Sequence, residues 1–199
     1  MILIKIIRVF FYLPLLALAF SSTSGYGQET EPVDKNIAGP FIQGSFTFGQ
    51  ANSIGGSTSG TGNNLSIMPG YVVKRDTWKR IELGLEVGSQ TVSIDNSTTE
   101  ITFVMPRVGY GYSLGDHSFM VWQLGFGQIM SGTVSSSGGG TSNLKPTGLT
   151  GILGGDAVFP ISDSLKLVAG GQMRYLIFSG DFSGQTNIPS LHLGARLRI

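Results

Sequence analysis

The sequence predicts an all-β fold, an eight-stranded antiparallel up-and-down transmembrane β-barrel, on three observations. Along eight segments apolar and polar residues alternate with period two, and every charge in the middle of a segment falls on the polar face. The connections between those segments alternate short and long. Composition agrees: 41% hydrophobic residues, only 13% charged and 30 glycines in 199 positions favour strands over helices and disfavour disorder. No 3.6-residue stripe is sustained, and past the N-terminal segment no run stays apolar for about 18 residues, so helical bundles and helical membrane proteins find no support.

Several function classes fall away on composition. Thirteen basic residues against 12 acidic ones give a net charge of +1 without a cluster, so there is no electrostatic footprint for nucleic acid. The absence of cysteine removes a disulfide framework, a thiolate zinc site, a cysteine nucleophile and an acylated lipoprotein anchor. No group of residues has metal-ligand spacing, and Gly138-Gly139-Gly140 is loop composition with no helix following it to bind phosphate. No cofactor is expected.

Residues 1–27 read as a secretory signal peptide: Lys5 and Arg8 precede the apolar run Val9–Phe20, and small polar residues follow. Gly25 and Gly27 suit cleavage after Gly27, with Ala17 and Ala19 offering a second possibility. An uncleaved anchor is the competing reading, but the run is shorter than the ~20 residues a spanning helix needs. Residues 28–39 are polar and contain proline, as a flexible periplasmic lead-in would be, and the barrel occupies 40–199.

Strands are expected at about 40–49, 64–75, 79–91, 100–112, 118–130, 147–159, 164–178 and 188–199. In the first two, Ile42, Phe46 and Phe48 oppose Gln43, Ser45 and Thr47, and Leu65, Ile67, Tyr71 and Val73 oppose Ser66 and Lys74. The third alternates more sharply, with Ile81, Leu83, Leu85 and Val87 against Arg80, Glu82, Gly84, Glu86 and Gly88. The fourth and fifth set Val104, Val108, Tyr110 and Tyr112 against Arg107, and Met120, Trp122, Leu124 and Phe126 against Gln123. In the last three, Leu153 and Phe159 oppose Asp156, Leu167 and Tyr175 oppose Lys166 and Arg174, and Leu191, Leu193 and Leu197 oppose His192, Arg196 and Arg198.

Two closed β-shapes accommodate this alternation, and they differ in which face points outward. A soluble lipocalin-like barrel fills its interior with the apolar face; a transmembrane barrel turns that face to lipid. Three features favour the second. Glycine crowds the polar face at 84, 88, 109, 111, 125, 127, 154, 170 and 194, which suits a tight lumen better than a solvated surface. Tyr71, Trp78, Tyr112, Trp122 and Phe159 fall near one set of turns, as an interfacial aromatic girdle requires. Connections 76–78, 113–117 and 160–163 are tight, whereas 50–63, 92–99, 131–146 and 179–187 are longer and rich in Ser, Thr, Gly and Asn. Pro69, Pro106 and Pro189 interrupt expected strands, and bulges or strand ends are expected there because proline removes a ladder donor.

Through its strand count, the stretches Val108-Gly109-Tyr110-Gly111-Tyr112 and Leu124-Gly125-Phe126-Gly127, and a last strand ending at Ile199, the sequence over residues ~40 to 199 resembles the OmpA/OmpX-type family of small eight-stranded outer-membrane β-barrels. Such proteins usually end in Phe, where this chain has Ile199 behind an alternating Leu191, Leu193, Ala195 and Leu197. The resemblance implies export to the Gram-negative outer membrane behind a cleaved signal peptide, contact with outer-membrane lipid and the barrel-assembly machinery, and an extracellular ligand for the long loops. It implies a non-enzymatic scaffold for adhesion, surface interaction or envelope integrity. An eight-stranded barrel is filled by its own side chains, so Lys74, Arg80, Glu82, Glu86, Arg107, Asp156, Lys166, Arg174, Arg196 and Arg198 are expected to form an interior charge network. The same residues would line a narrow, anion-preferring passive pore, the alternative reading.

A second alternative is a lipid A-modifying outer-membrane enzyme, since such barrels include deacylases with a His–Ser pair at the outer face. Only His117 and His192 are available. His117 falls in an expected periplasmic turn, and His192 faces the lumen near the outer half of its strand, while Asp95, Glu100 and Asp181 are scattered loop carboxylates. No catalytic residue is assigned.

Overall fold

The computed structural model describes residues 38–75, 79–115, 118–144, 148–178 and 184–199. The expected signal peptide and nearly all of the lead-in, together with Trp78, His117 and Asp181, lie outside the described residues.

Among the described residues nine strands follow in order: β1 (Gly39–Ser53), β2 (Ser59–Arg75), β3 (Lys79–Ile94), β4 (Ser97–Gly115), β5 (Ser118–Ser136), β6 (Thr141–Leu144), β7 (Gly148–Pro160), β8 (Leu165–Phe178) and β9 (Gly184–Arg198). Eight of them form the wall. Each pairs antiparallel with its neighbours, β5 passes directly to β7, and β9 closes on β1 from Phe41↔Arg198 to Ser53↔Thr186. The ninth, β6, folds back along the end of β5 from Gly132↔Leu144 to Ser135↔Thr141. Closure leaves the wall without an edge, the condition a sheet must meet to satisfy its backbone in lipid.

Burial alternates along every wall strand. In β1, Phe41, Gln43, Ser45 and Thr47 are buried while Ile42, Phe46 and Phe48 are exposed. In β3, Arg80, Glu82 and Glu86 are buried while Ile81, Leu83, Leu85 and Val87 face out. The outward belt continues through Leu65, Ile67, Val108, Tyr110, Leu124, Phe126, Leu153, Leu167, Leu191 and Leu193, with Leu65 67% and Leu124 63% exposed. An apolar exterior of this extent around ionised interior groups reverses the polarity of a water-soluble barrel, and acyl chains are the solvent it matches.

Two expectations about the wall are corrected. The long connections are mostly strand: only residues 54–58, 95–96 and 137–140 separate their hairpins among the described residues, so the asymmetry lies in strand length rather than in irregular loops. Ser, Thr and Asn pair well enough here because the ladder below already fixes the register. Asp95 takes a left-handed φ of 52° in its two-residue turn, a conformation Asp tolerates through its short side chain.

The prolines, second, lie at neither bulges nor strand ends. Register shifts fall between Val72 and Lys74, Thr102 and Phe103, and Ser113 and Gly115. Pro69, Pro106 and Pro189 stay within β2, β4 and β9, opposite Ile42, Leu85 and Met173. Each ladder lapses only toward the other neighbour: β2–β3 between Ile67 and Gly70, β4–β5 between Val104 and Arg107, and β1–β9 between Gly49 and Asn52. A strand residue directs its N–H to one neighbour only, so the missing donor costs pairing on one side and leaves the strand continuous.

Glycine permits close approach at two inward positions in particular. A Cβ at Gly127 would run into the Val104 carbonyl, and one at Gly170 into the Gly155 carbonyl and the Asp156 carboxylate.

Leu85 lies in the middle of the outward belt, 45% exposed and paired with Pro106. Leu85→Arg should lower unfolding stability by about 2–4 kcal/mol in a lipid bilayer, read from a denaturant titration; a neutral result would contradict the outward orientation toward lipid.

Candidate functional site

Period two places every second residue of eight strands inside, so the lumen brings together groups far apart in sequence. Three polar assemblies occupy its middle. In the first, Glu86 of β3 accepts from Arg107 Nη1 of β4 at Oε2, 2.8 Å away, and from Arg174 Nη2 of β8 at Oε1, also 2.8 Å away. The Arg174 guanidinium stacks 4.4 Å from the Phe103 ring centroid. In the second, Glu82 of β3 pairs with Arg80 and with Arg196 of β9, whose Nη1 is 2.7 Å from Oε1. Arg196 also donates from Nε and Nη2 to Gln43 Oε1, at 2.9 and 2.7 Å, and lies 4.3 Å from the Phe41 ring centroid. In the third, Asp156 of β7 meets His192 Nδ1 of β9 at 2.8 Å and accepts from Gln123 Nε2 of β5.

The expected charge network therefore divides. Arg80, Glu82, Glu86, Arg107, Asp156, Arg174 and Arg196 are buried and enter these assemblies. Lys166 is half-buried, its ammonium 5.6 Å from the Phe119 ring centroid, and Arg198 is exposed; both line the lumen mouth at the short-turn end with Asp163. Lys74 follows the register shift after Val72 and lies opposite Ile81, and its side chain is outside the described ones. Of the aromatic residues, Tyr71, Tyr112, Trp122 and Phe159 point outward on the half of the wall nearer the short turns, and Phe48, Phe126 and Tyr175 point outward farther along.

Sequence reasoning passed over the neutral partners. Gln43 and Gln123 bind ions directly, and the Ser45 and Ser66 hydroxyls pair at 3.1 Å. Their inward parity was legible, but parity does not say which inward amide reaches which ion.

His192 lies midway along β9 rather than in its outer half, opposite Thr47 and Gly170, and is 1% exposed. The nearby Ser190 hydroxyl donates to the Gln172 carbonyl. Glu100 is an exposed strand residue and Asp95 a turn residue, so no described carboxylate joins a histidine at the hairpin rim.

The lumen changes character at both ends. Phe41, Met68 and Val72 form one apolar cluster, and Phe119, Val121, Val158 and Val168 another, toward the short turns. Toward the hairpins, Phe103, Met105 and Ile152 cover the ion pairs, and Ala51, Val92, Ile101, Ile129, Leu176 and Ile188 make a larger plug with Ile94 and Phe178 packed on it. Outside this plug the outward positions are polar on β1, β3 and β4, at Gln50, Asn52, Ser89, Thr91, Ser93, Glu100 and Thr102, and apolar on β5, β7 and β8, at Met130, Leu149 and Ile177. β1, β3 and β4 thus reverse polarity along their own length, carrying a lipid-type pattern in the belt and a water-type pattern in the hairpins.

Glu86→Gln would leave two buried guanidinium groups without their carboxylate. Breaking a buried pair by removing one partner costs about 3–5 kcal/mol. Urea unfolding in micelles should show a loss of that size, whereas Glu100→Gln on the exposed hairpin should stay within about 0.5 kcal/mol of the parent.

No protein-family model and no curated protein sequence matches the chain. Among solved structures, Neisserial surface protein A (NspA) superposes with a TM-score of 0.59 at 17% identity, covering 82% of this chain and 100% of that one. The outer membrane enzyme PagL superposes with a TM-score of 0.52 at 13% identity, covering 76% and 97%. Ail, the attachment invasion locus protein of Yersinia pestis, gives a TM-score of 0.46 at 12% identity, covering 82% and 100%. The closed wall, its inverted polarity and the superpositions on NspA and PagL together give the chain the fold of the small eight-stranded outer-membrane β-barrels.

Proposed function

We propose that this protein is a sealed, non-enzymatic barrel of the Gram-negative outer membrane that holds rigid β-hairpins at the cell surface for adhesion, surface interaction or envelope integrity. The observation that carries this reading is the filled lumen, closed on the hairpin side by the apolar plug around Ile101, Ile129, Leu176 and Ile188. A pore needs a continuous polar path, and here the ion pairs end against aliphatic side chains. Catalysis at the rim needs an acid–base pair open to lipid, and the Asp156–His192 pair is enclosed.

The hairpins suit presentation. Their exposed faces carry hydroxyl and amide groups with little charge, and their tips are tied together: Ser137 N–H donates to the Asn96 carbonyl at 2.9 Å and Ile54 N–H to the Gln185 carbonyl at 2.8 Å. A binding surface built on connected strands loses less entropy on engagement than a set of loose loops. In this reading the apolar belt meets outer-membrane lipid, the assembly machinery inserts the chain after signal cleavage, and the hairpins contact an extracellular ligand.

Three measurements test the reading. Protein reconstituted in planar bilayers should stay silent at high load; steady conductance would establish the pore instead. Lipid A from hosts carrying the parent, His192→Asn or an empty vector should show one acylation pattern, and a change produced by the parent alone would make the protein an enzyme. Shortening residues 131–144 to a tight turn should preserve heat-modifiable gel mobility and reduce attachment of expressing cells to epithelial monolayers; undiminished attachment would remove the presentation role from that hairpin.

A further inference from the structure

The ion pairs in the lumen do not balance. Among the described residues, four buried arginines, Arg80, Arg107, Arg174 and Arg196, face three buried carboxylates. Asp156 is engaged by His192 and Gln123, which leaves each glutamate between two guanidinium groups. Around Glu86 the formal sum is one carboxylate against Arg107 and Arg174, a surplus of one positive charge in a region with almost no access to solvent.

The same region has a surplus of donors. Arg174 uses Nη2 on Glu86, and its Nε and Nη1 have no hydrogen-bond partner among the described residues. Arg107 Nε, Gln172 Nε2 and the Thr150 hydroxyl are likewise without one. The residues bearing these groups are between 1% and 4% exposed. By register Gln172 and Thr150 flank Arg174: β8 carries Gln172 and Arg174 inward two residues apart, and Thr150 of β7 lies opposite Leu176, two residues beyond Arg174 on its other side. The Glu86 carboxylate draws Arg107 to the same group from across the lumen. Four of the five unmatched atoms are N–H donors and the fifth is a hydroxyl that can donate, so they call for an acceptor. Water would satisfy donors without touching the charge; a small anion does both.

We propose that Arg174, together with Arg107, Gln172 and Thr150, forms an internal binding site for a halide-sized inorganic anion, chloride being the commonest candidate. The anion neutralises the Glu86 assembly and accepts from its unmatched donors. It enters as the barrel closes, because apolar clusters bound the ionic middle toward both ends.

Bromide is the probe. Protein refolded in detergent with sodium bromide should show an anomalous peak beside the Arg174 guanidinium, and its thermal midpoint should exceed that of protein refolded in sodium gluconate at equal ionic strength. Arg174→Met removes the surplus charge and leaves Glu86 paired with Arg107, so the peak and the bromide-over-gluconate shift should both vanish in it. Glu100→Gln should keep them. The comparison of the two salts with the parent protein requires no variant and stands if Arg174→Met does not fold. Equal midpoints in both salts, with only water density at Arg174, would overturn the proposal.

Discussion

Two glutamates hold the lumen together. Glu82 and Glu86 lie on one strand, four residues apart, and between them bind arginines from β3, β4, β8 and β9. Because β3 and β8 are on opposite sides of the closed wall, the Glu86–Arg174 contact is a strut across the barrel rather than a link between neighbours. A sheet this narrow cannot keep its interior wet enough to solvate separated charges, so each strut must form if the neighbouring one is to be tolerated. The inward glycines follow from the same crowding: an arginine stem needs room beside it as it leaves the wall, and a missing side chain at its cross-strand neighbour gives it, as Gly111 does opposite Arg80 and Gly125 opposite Arg107. At Gly111 an added Cβ would lie 2.8 Å from Arg80 Cγ, and at Gly125 2.9 Å from Arg107 Cγ.

The aromatic rings inside the lumen belong to this arrangement. Phe41, Phe103 and Phe119 each sit against a guanidinium, at 4.3, 4.4 and 4.7 Å, where the ring face offers negative potential without a second carboxylate. They also form the boundary between the ionic middle and the apolar ends, since Phe41, Phe119 and Phe103 are themselves members of the apolar clusters. An arginine that meets carboxylate with its nitrogens and a ring with its face can lie next to hydrocarbon; this is how the lumen passes from charge to aliphatic plug within a few residues.

Reversal of polarity along the strands gives the molecule two regimes. In the belt, the surroundings are apolar and the interior must absorb the polar residues. In the hairpins, water surrounds the wall, and the ordinary rule returns with Val92, Ile101 and Ile188 inside. The hairpins consequently have an apolar core of their own, which accounts for strands continuing well past the belt instead of dissolving into loops.

The sequence alone determined the wall. Alternation with period two, together with the connection lengths, sufficed for the eight wall strands and for dividing Ile81 to Gly88 between two faces, while the inward glycines and outward aromatics told which face meets lipid. It also placed Arg80, Glu82, Glu86, Arg107, Asp156, Arg174 and Arg196 on one face, together with Lys74, Lys166 and Arg198, which the assemblies around the two glutamates and Asp156 do not include. What only the tertiary structure decided was everything that depends on height and on distance across the lumen. Parity repeats identically at every level, so it could not distinguish Gln43 at the ion pairs from Ala51 in the plug, nor tell that Ser- and Thr-rich segments would continue as strand, nor choose Arg174 rather than Lys166 as the partner of Glu86. Those choices are made by shear and closure, which set which residues of opposite strands stand at one level, and no local pattern encodes them.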